Sequence, residues 1–194
     1  MLFRSIYPKP TVAFSVVGAN SQCAGTTISF NSNATNALSY EWSFGNGKTS
    51  TLQNASTTFI NPGIYNVTLN VVGMGGCTVT SSQQITILSK PTAAFSLNNF
   101  NSCVDGGTVN ILNQSTGAIS YNWNFGNGTT SNQTSPIYTY NIPGTYRISL
   151  TAVNSNGCID TSSQVINVLS RPNSAFNIVG SGTQCVGNTI AFNS

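Results

Sequence analysis

The chain of 194 residues is nearly uncharged, with six Lys and Arg, three Asp and Glu, no His, and 5% charged residues against 39% hydrophobic ones. Without His, Ser–His catalysis and His-metal sites are excluded, and the isolated carboxylates Glu41, Asp105 and Asp160 do not make a paired acid and base. The bases Arg4, Lys9, Lys48, Lys90, Arg147 and Arg171 are scattered, so the net charge of +3 forms no patch for nucleic acid, and no apolar run is long enough to span a bilayer.

Taken in chain order, a two-fold alternation of apolar and polar residues predicts strands throughout. Val12, Phe14 and Val16 share one face of a first strand, Ile28 and Phe30 of a second, and Tyr40, Trp42 and Phe44 of a third. Gly45-Asn46-Gly47 ends the third strand in a tight turn and does not resemble a phosphate-cradling loop. Tyr65, Val67, Leu69 and Val71 form an inward set, with Asn66, Thr68 and Asn70 facing out. Gly73-Met74-Gly75-Gly76 predicts a hairpin, and Ile85 and Ile87 close the series. Nothing has helical periodicity. Trp42 falls mid-strand, where a core between two sheets takes a large plate, and Tyr65 follows Pro62-Gly63 in the place of a tyrosine corner. Sugar stacking is the alternative use of such rings, but the alternation points them inward.

The whole pattern then returns after 81 residues, as Phe14, Phe95 and Phe176 show. Tyr40-Glu-Trp42-Ser-Phe44-Gly-Asn-Gly47 recurs as Tyr121-Asn-Trp123-Asn-Phe125-Gly-Asn-Gly128, and Pro62-Gly-Ile-Tyr65 as Pro143-Gly-Thr-Tyr146. Residues 10–90 are a first repeat, 91–171 a second, and 172–194 the truncated start of a third. Residues 1–9 match the tail of a preceding repeat, Ile6 answering to Ile87 and Lys9 to Lys90, or mark a fragment boundary. Met1–Pro8 is too short for a signal peptide, so any export signal or anchor is expected outside this segment. About seven short strands per repeat predict an all-β fold: tandem immunoglobulin-like antiparallel sandwiches stacked end to end.

The string Tyr-x-Trp-x-Phe-Gly-Asn-Gly, followed by Pro-Gly-x-Tyr-x-(Val/Ile)-x-Leu, resembles the PKD repeat with its WDFGDG and GxYxVxL signatures. The resemblance covers both full repeats and the third as far as it goes. With the regular cysteines, it implies the repeats of secreted and surface adhesins of Bacteroidota, including those of gliding cells. The family often has Asp where this chain has Ser43, Asn46, Asn124 and Asn127. Amides can still bond the turn, but they leave no cluster of hard anionic ligands, so no calcium, other metal or cofactor is expected.

Five cysteines recur in two classes: Cys23 and Cys103 before a second strand, Cys77 and Cys158 opening a last strand, and Cys185 beginning a third set. With no His and no close Cys pair, zinc is a poor fit and disulfides in an oxidising compartment are expected. Pairing within repeats would give Cys23–Cys77 and Cys103–Cys158. Immunoglobulin topology places those two loops at opposite ends of a strand of roughly 20 Å, whereas a disulfide needs α carbons within roughly 7 Å. Pairing between repeats, Cys23–Cys158, is therefore favoured, leaving Cys77 and Cys103 to pair with further repeats. The sequons Asn33-Ala-Thr35, Asn66-Val-Thr68 and Asn132-Gln-Thr134 are what an Asn- and Thr-rich composition gives by chance.

The function expected is non-catalytic: a structural shaft of an extracellular adhesin or filament. Its partners would be neighbouring repeats, identical chains in a fibre, and a surface polysaccharide, host or substratum reached through a tip outside this segment. Neither nucleic acid nor membrane insertion is expected of this segment. The alternative is a spacer or substrate-gripping module of a secreted polysaccharide- or protein-degrading enzyme. That reading needs a row of exposed rings, with Tyr7, Phe59, Phe100 and Tyr138 as candidates and Phe59 and Tyr140 more suited to the core.

Overall fold

Alternation becomes strand wherever one face can be buried. The computed structural model describes residues 7–98, 107–170, 177–179 and 191–193; residues 1–6, Phe100, Cys103, Asp105 and Cys185 lie outside them, as does most of the third repeat. The first repeat forms β1 (Phe14–Val16), β2 (Ser21–Cys23), β3 (Thr27–Ser32), β4 (Ala37–Ser43), β5 (Thr49–Ser50), β6 (Ala55–Thr58), β7 (Gly63–Gly73) and β8 (Thr78–Leu88). One sheet has the order β1-β3-β6 and the other β2-β8-β7-β4-β5. A single 3-10 turn, Met74–Gly76, joins β7 to β8. Among the described residues no helix is long and apolar enough to cross a membrane.

The first sandwich has eight strands rather than about seven, and one pairing is not antiparallel. Strand β2 runs parallel to β8, with Ser21, Gln22 and Cys23 opposite Thr86, Ile87 and Leu88. The chain leaves β1 at Gly18, whose φ of 99° few other residues adopt readily, and crosses to the second sheet. Ser21-Gln22-Cys23 has no apolar alternation, so nothing in its pattern announces a strand.

Between these sheets, Trp42, Phe44, Phe30, Phe59, Val67, Leu69 and Val71 are fully buried or nearly so. Phe14 meets Trp42 edge to face at 5.1 Å, and Trp42 lies parallel to Phe44 at 6.2 Å. The indole N–H of Trp42 donates to Leu52 O at 2.8 Å, so the largest buried plate leaves no polar atom orphaned. Tyr65 is half-buried, and its hydroxyl donates to Asn61 O at 2.9 Å, closing the loop before β7.

The second repeat forms β9 (Phe95–Asn98), β10 (Gly107–Asn113), β11 (Ser120–Asn124), β12 (Thr130–Ser131), β13 (Ile137–Tyr140), β14 (Gly144–Val153) and β15 (Ile159–Val168). Its sheets have the orders β13-β10-β9 and β12-β11-β14-β15, and β16 (Asn177–Val179) pairs with β17 (Ala191–Asn193) in the third. Trp123 and Phe125 are buried, Trp123 Nε1 donates to Gln133 O at 2.9 Å, and Tyr146 donates to Ile142 O at 2.9 Å. The turn after β11 needs glycine: Gly126 has φ 81°, and a Cβ there would lie 2.7 Å from Arg147 O.

The chain divides into two compact units. One comprises Met1–Ala93, Ser115–Ser120 and Thr151–Thr161; the other comprises Ala94–Gln114, Tyr121–Leu150 and Ser162–Ser194. Two turn segments of the second sequence repeat thus belong to the first unit.

Position 57 of the first repeat and its equivalent 138 of the second are filled very differently. Tyr138 stacks on Phe125 at 4.0 Å and meets Tyr140 edge to face at 4.8 Å, whereas the first repeat has Thr57, buried with an unpartnered hydroxyl. Thr57→Val keeps the shape and removes the stranded donor. It should raise stability by about 1 kcal/mol, read as a higher denaturant midpoint at unchanged slope.

Tyr140 is buried and donates to Phe125 O at 2.7 Å. Burial first, then the neighbouring phenols of Tyr138 and Tyr146, push its pKa above the ordinary phenol range. The unfolded phenol ionises near pH ~10 and the folded one later. Its contribution is therefore complete below pH ~10 and is lost as pH rises from there towards the folded value. Tyr140→Phe should cost about 1 kcal/mol at pH 7 and flatten the alkaline loss of stability, measured by denaturant titrations at neutral and alkaline pH.

Candidate functional site

A cluster of specific polar bonds surrounds the turn between β14 and β15, and it belongs to the first compact unit. Asn154 begins that turn. Its Oδ1 accepts from Asn156 N at 3.1 Å and Cys158 N at 2.9 Å, while its own N–H donates to Cys158 O at 3.0 Å. An Asn side chain satisfies such a turn because its carbonyl mimics a backbone acceptor two and four residues on. The remaining amide group donates to Ser89 O at 2.8 Å, so Asn154 is bonded on both sides and buried.

Cys158 follows, fully buried, and is disulfide-bonded to Cys23 across a sequence separation of 135. Cys23 ends β2, the strand held parallel to β8. Directly after it, Ala24 N donates to Leu88 O at 2.9 Å and Gly25 N to Phe59 O at 2.7 Å. These bonds close a ring: Cys23 beside Leu88, Leu88 joined to Ser89, Ser89 held by Asn154, and Asn154 holding Cys158. Further along, Asp160 Oδ2 accepts from Ala93 N at 2.9 Å, and Thr92 exchanges backbone bonds with Thr116 at 2.9 and 3.0 Å. The segment joining the two sequence repeats therefore has its carbonyl at Ser89 and its amide at Ala93 both tied down.

Asn154 and Asp160 are the residues that sequence reasoning missed. Their counterparts one repeat earlier are Gly73 and Val79, so they break the periodicity that guided the reading. A polar residue replacing a small or apolar one within an otherwise faithful repeat is the signal that could have marked them.

Other candidates divide cleanly. The Asn positions after Trp42 and Trp123 bond their own turns: Asn46 Oδ1 accepts from Lys48 N at 3.1 Å, Asn124 Oδ1 from Gly126 N at 2.8 Å, and Asn127 Oδ1 from Thr129 N at 3.2 Å. Among the described residues no three His, Cys, Asp or Glu side chains converge as metal ligands. Glu41 accepts from Asn70 Nδ2 at 3.4 Å in an exposed cross-strand row, far in character from a buried acid. Of the aromatic candidates, Phe59 is buried, Tyr7 is exposed, and Tyr138 is half-buried with its hydroxyl engaged by Asn127 and Thr129. A shallow groove of about 210 Å³ beside Asn46, Asn61 and Tyr65 recurs beside Asn127, Ile142 and Tyr146 at about 230 Å³.

Two facing sheets, a buried indole bonded to a loop carbonyl and a tyrosine corner, found twice at one period, define a tandem array of immunoglobulin-like β-sandwich modules. The chain belongs to the PKD domain family, whose model matches residues 8–87 and 101–168. The pre-pro-metalloprotease PrtV of Vibrio cholerae is 37% identical over 82 residues, which are 40% of this chain and 8% of that protein. Collagenase ColA of Bacillus cereus is 51% identical over 39 residues, 20% of this chain and 4% of the enzyme. The matched segments thus span under a tenth of either relative. Among solved structures, the PKD1 domain of the V. cholerae PrtV metalloprotease is 36% identical, covers 41% of this chain and 96% of its own, and has a TM-score of 0.37.

Asn154→Ala would leave Cys158 N, Asn156 N and Ser89 O without their partner. The expected loss is about 2–3 kcal/mol, together with faster amide hydrogen exchange at Asn156 and Cys158, measured by denaturation and exchange NMR on the oxidised protein.

Proposed function

We propose that this chain is a non-catalytic shaft segment of an extracellular surface protein, an adhesin or filament in which many PKD units carry a binding tip. The observation that carries the reading is the Cys23–Cys158 bond, which ties one sequence repeat to the next. A pull applied to the ends of the chain enters at Cys23 and leaves at Cys158 through sulfur, so the residues between them are bypassed. Such a bypass has little use in an enzyme domain and a direct use in a load-bearing tether. A disulfide also fits the oxidising surroundings outside the cell. The nearly uncharged surface supports the same reading, because its interactions are insensitive to salt.

A second reading is a spacer module within a secreted hydrolase, and the kinship with PrtV and ColA favours it. It loses ground on the aromatic side: within residues 7–98 and 107–170 Tyr7 alone of the rings is strongly exposed, whereas gripping an extended substrate takes several in a row.

Electron microscopy of the protein as its own cells make it separates the two. Long fibres with a regular axial repeat support the shaft, and compact particles with a few beads beside a larger globule overturn it. In single-molecule pulling, the oxidised chain should withhold the length between Cys23 and Cys158. Adding reductant should release roughly 450–480 Å of contour, from about 3.3–3.6 Å per residue over the separation of 135.

A further inference from the structure

Among the described residues Cys77 is the one free cysteine, and it is exposed. Its backbone setting repeats that of Cys158, although Cys158 is buried and Cys77 is exposed. Each stands one residue before the last strand of its sandwich, Cys77 before Thr78 and Cys158 before Ile159. Each offers its carbonyl to the residue that starts the turn, Gly73 N to Cys77 O at 2.8 Å and Asn154 N to Cys158 O at 3.0 Å. Cys158 in that setting is bonded to Cys23, a cysteine at the end of a β2-type strand. The sequence around Cys23, Gln22-Cys23-Ala24-Gly25, recurs as Gln184-Cys185-Val186-Gly187, and Cys103 stands near the same place in the second repeat, so a cysteine of the Cys23 kind is present in all three repeats.

We propose that Cys77 is half of a repeat-to-repeat cystine whose other half is the cysteine on the β2-type turn of another PKD unit. The proposal rests on the reading of the chain as one stretch of a tandem array, and it names the partner chemistry of that array. The bond forms between the two sulfurs, each thiol giving up a proton and an electron. A disulfide-bearing oxidant of the thiol–disulfide exchange type accepts them and leaves as a dithiol. Gly73 and Val79 stand where the second repeat has Asn154 and Asp160, so this linkage has no equivalent amide and carboxylate clamp. The cystine is then its principal tie.

The test uses the protein from its native cells, alkylated at once, digested without reduction and mapped by mass spectrometry. The Cys77 peptide should emerge untagged and joined to a peptide with the Cys-x-Gly turn of another repeat. A monomeric band on a non-reducing gel then assigns the partner to the same polypeptide, and a covalent ladder assigns it to a second copy. Cys77→Ser should remove that linked peptide and keep Cys23–Cys158. A Cys77 that carries the alkyl tag or a small-thiol adduct, or is joined to Cys23, overturns the proposal. The shaft reading fails separately: compact particles under the microscope with the Cys77 linkage present would remove the shaft and keep the cystine.

Discussion

Each sandwich depends on one indole. A domain of this size buries too little surface to tolerate a loose centre. Trp42 and Trp123 supply the largest plate at the point where the sheets face each other, and each hands its N–H to a carbonyl ten residues on, at Leu52 and Gln133. That bond does two jobs. It satisfies the indole's own polar atom, and it fastens the loop leading to the next sheet. Phe14 and Phe95 then close over the indoles at 5.1 Å, which fixes the first strand of each repeat against the core. Substituting either indole would therefore disturb both the packing and the crossing between sheets.

Most of the fold was legible because period two needs only that one face be apolar. Tyr65, Val67, Leu69 and Val71 announce β7 without ambiguity, and the repeat after 81 residues checks every such assignment a second time. What escaped were elements whose reason lies elsewhere in the fold. Strand β2 is polar and three residues long, and it exists because β8 offers it a free edge. Strand β5 has two residues and follows from the turn after Trp42 rather than from its own sequence. Tyr138 looked available for stacking a ligand, yet Phe125 takes one of its faces, a contact no spacing rule encodes.

The cluster around Asn154 was the least legible part, and the reason is general. A repeat analysis rewards what recurs, whereas a joint is built from what differs between one repeat and the next. Gly73 and Asn154 make the same backbone bond to the cysteine four residues on, so the turn itself is conserved in geometry. Only the side chain distinguishes them, and only its contact with Ser89 O gives the difference a purpose. Which cysteines pair is likewise not written in their spacing. It follows from where the fold places strand ends, which is information about the whole sandwich.

Charge is nearly absent from this molecule, and the bonds that would usually carry charge are made by amides, hydroxyls and sulfur. Asn46, Asn124 and Asn127 bond turns that carboxylates can also bond, and Thr11 with Thr35, Thr27 with Thr58 and Thr108 with Thr139 join strands through hydroxyl pairs at 2.6–2.9 Å. Neutral bonds of this kind neither titrate near neutrality nor weaken with salt, but each contributes little. A chain held together this way gains most from a constraint independent of the solvent, and a disulfide closing a long loop, worth roughly 2–4 kcal/mol, is such a constraint. The scarcity of charge and the regularity of the cysteines are thus two sides of one solution. The surface is made indifferent to ionic conditions, and durability is moved into the covalent bond that joins Cys23 of the first repeat to Cys158 of the second.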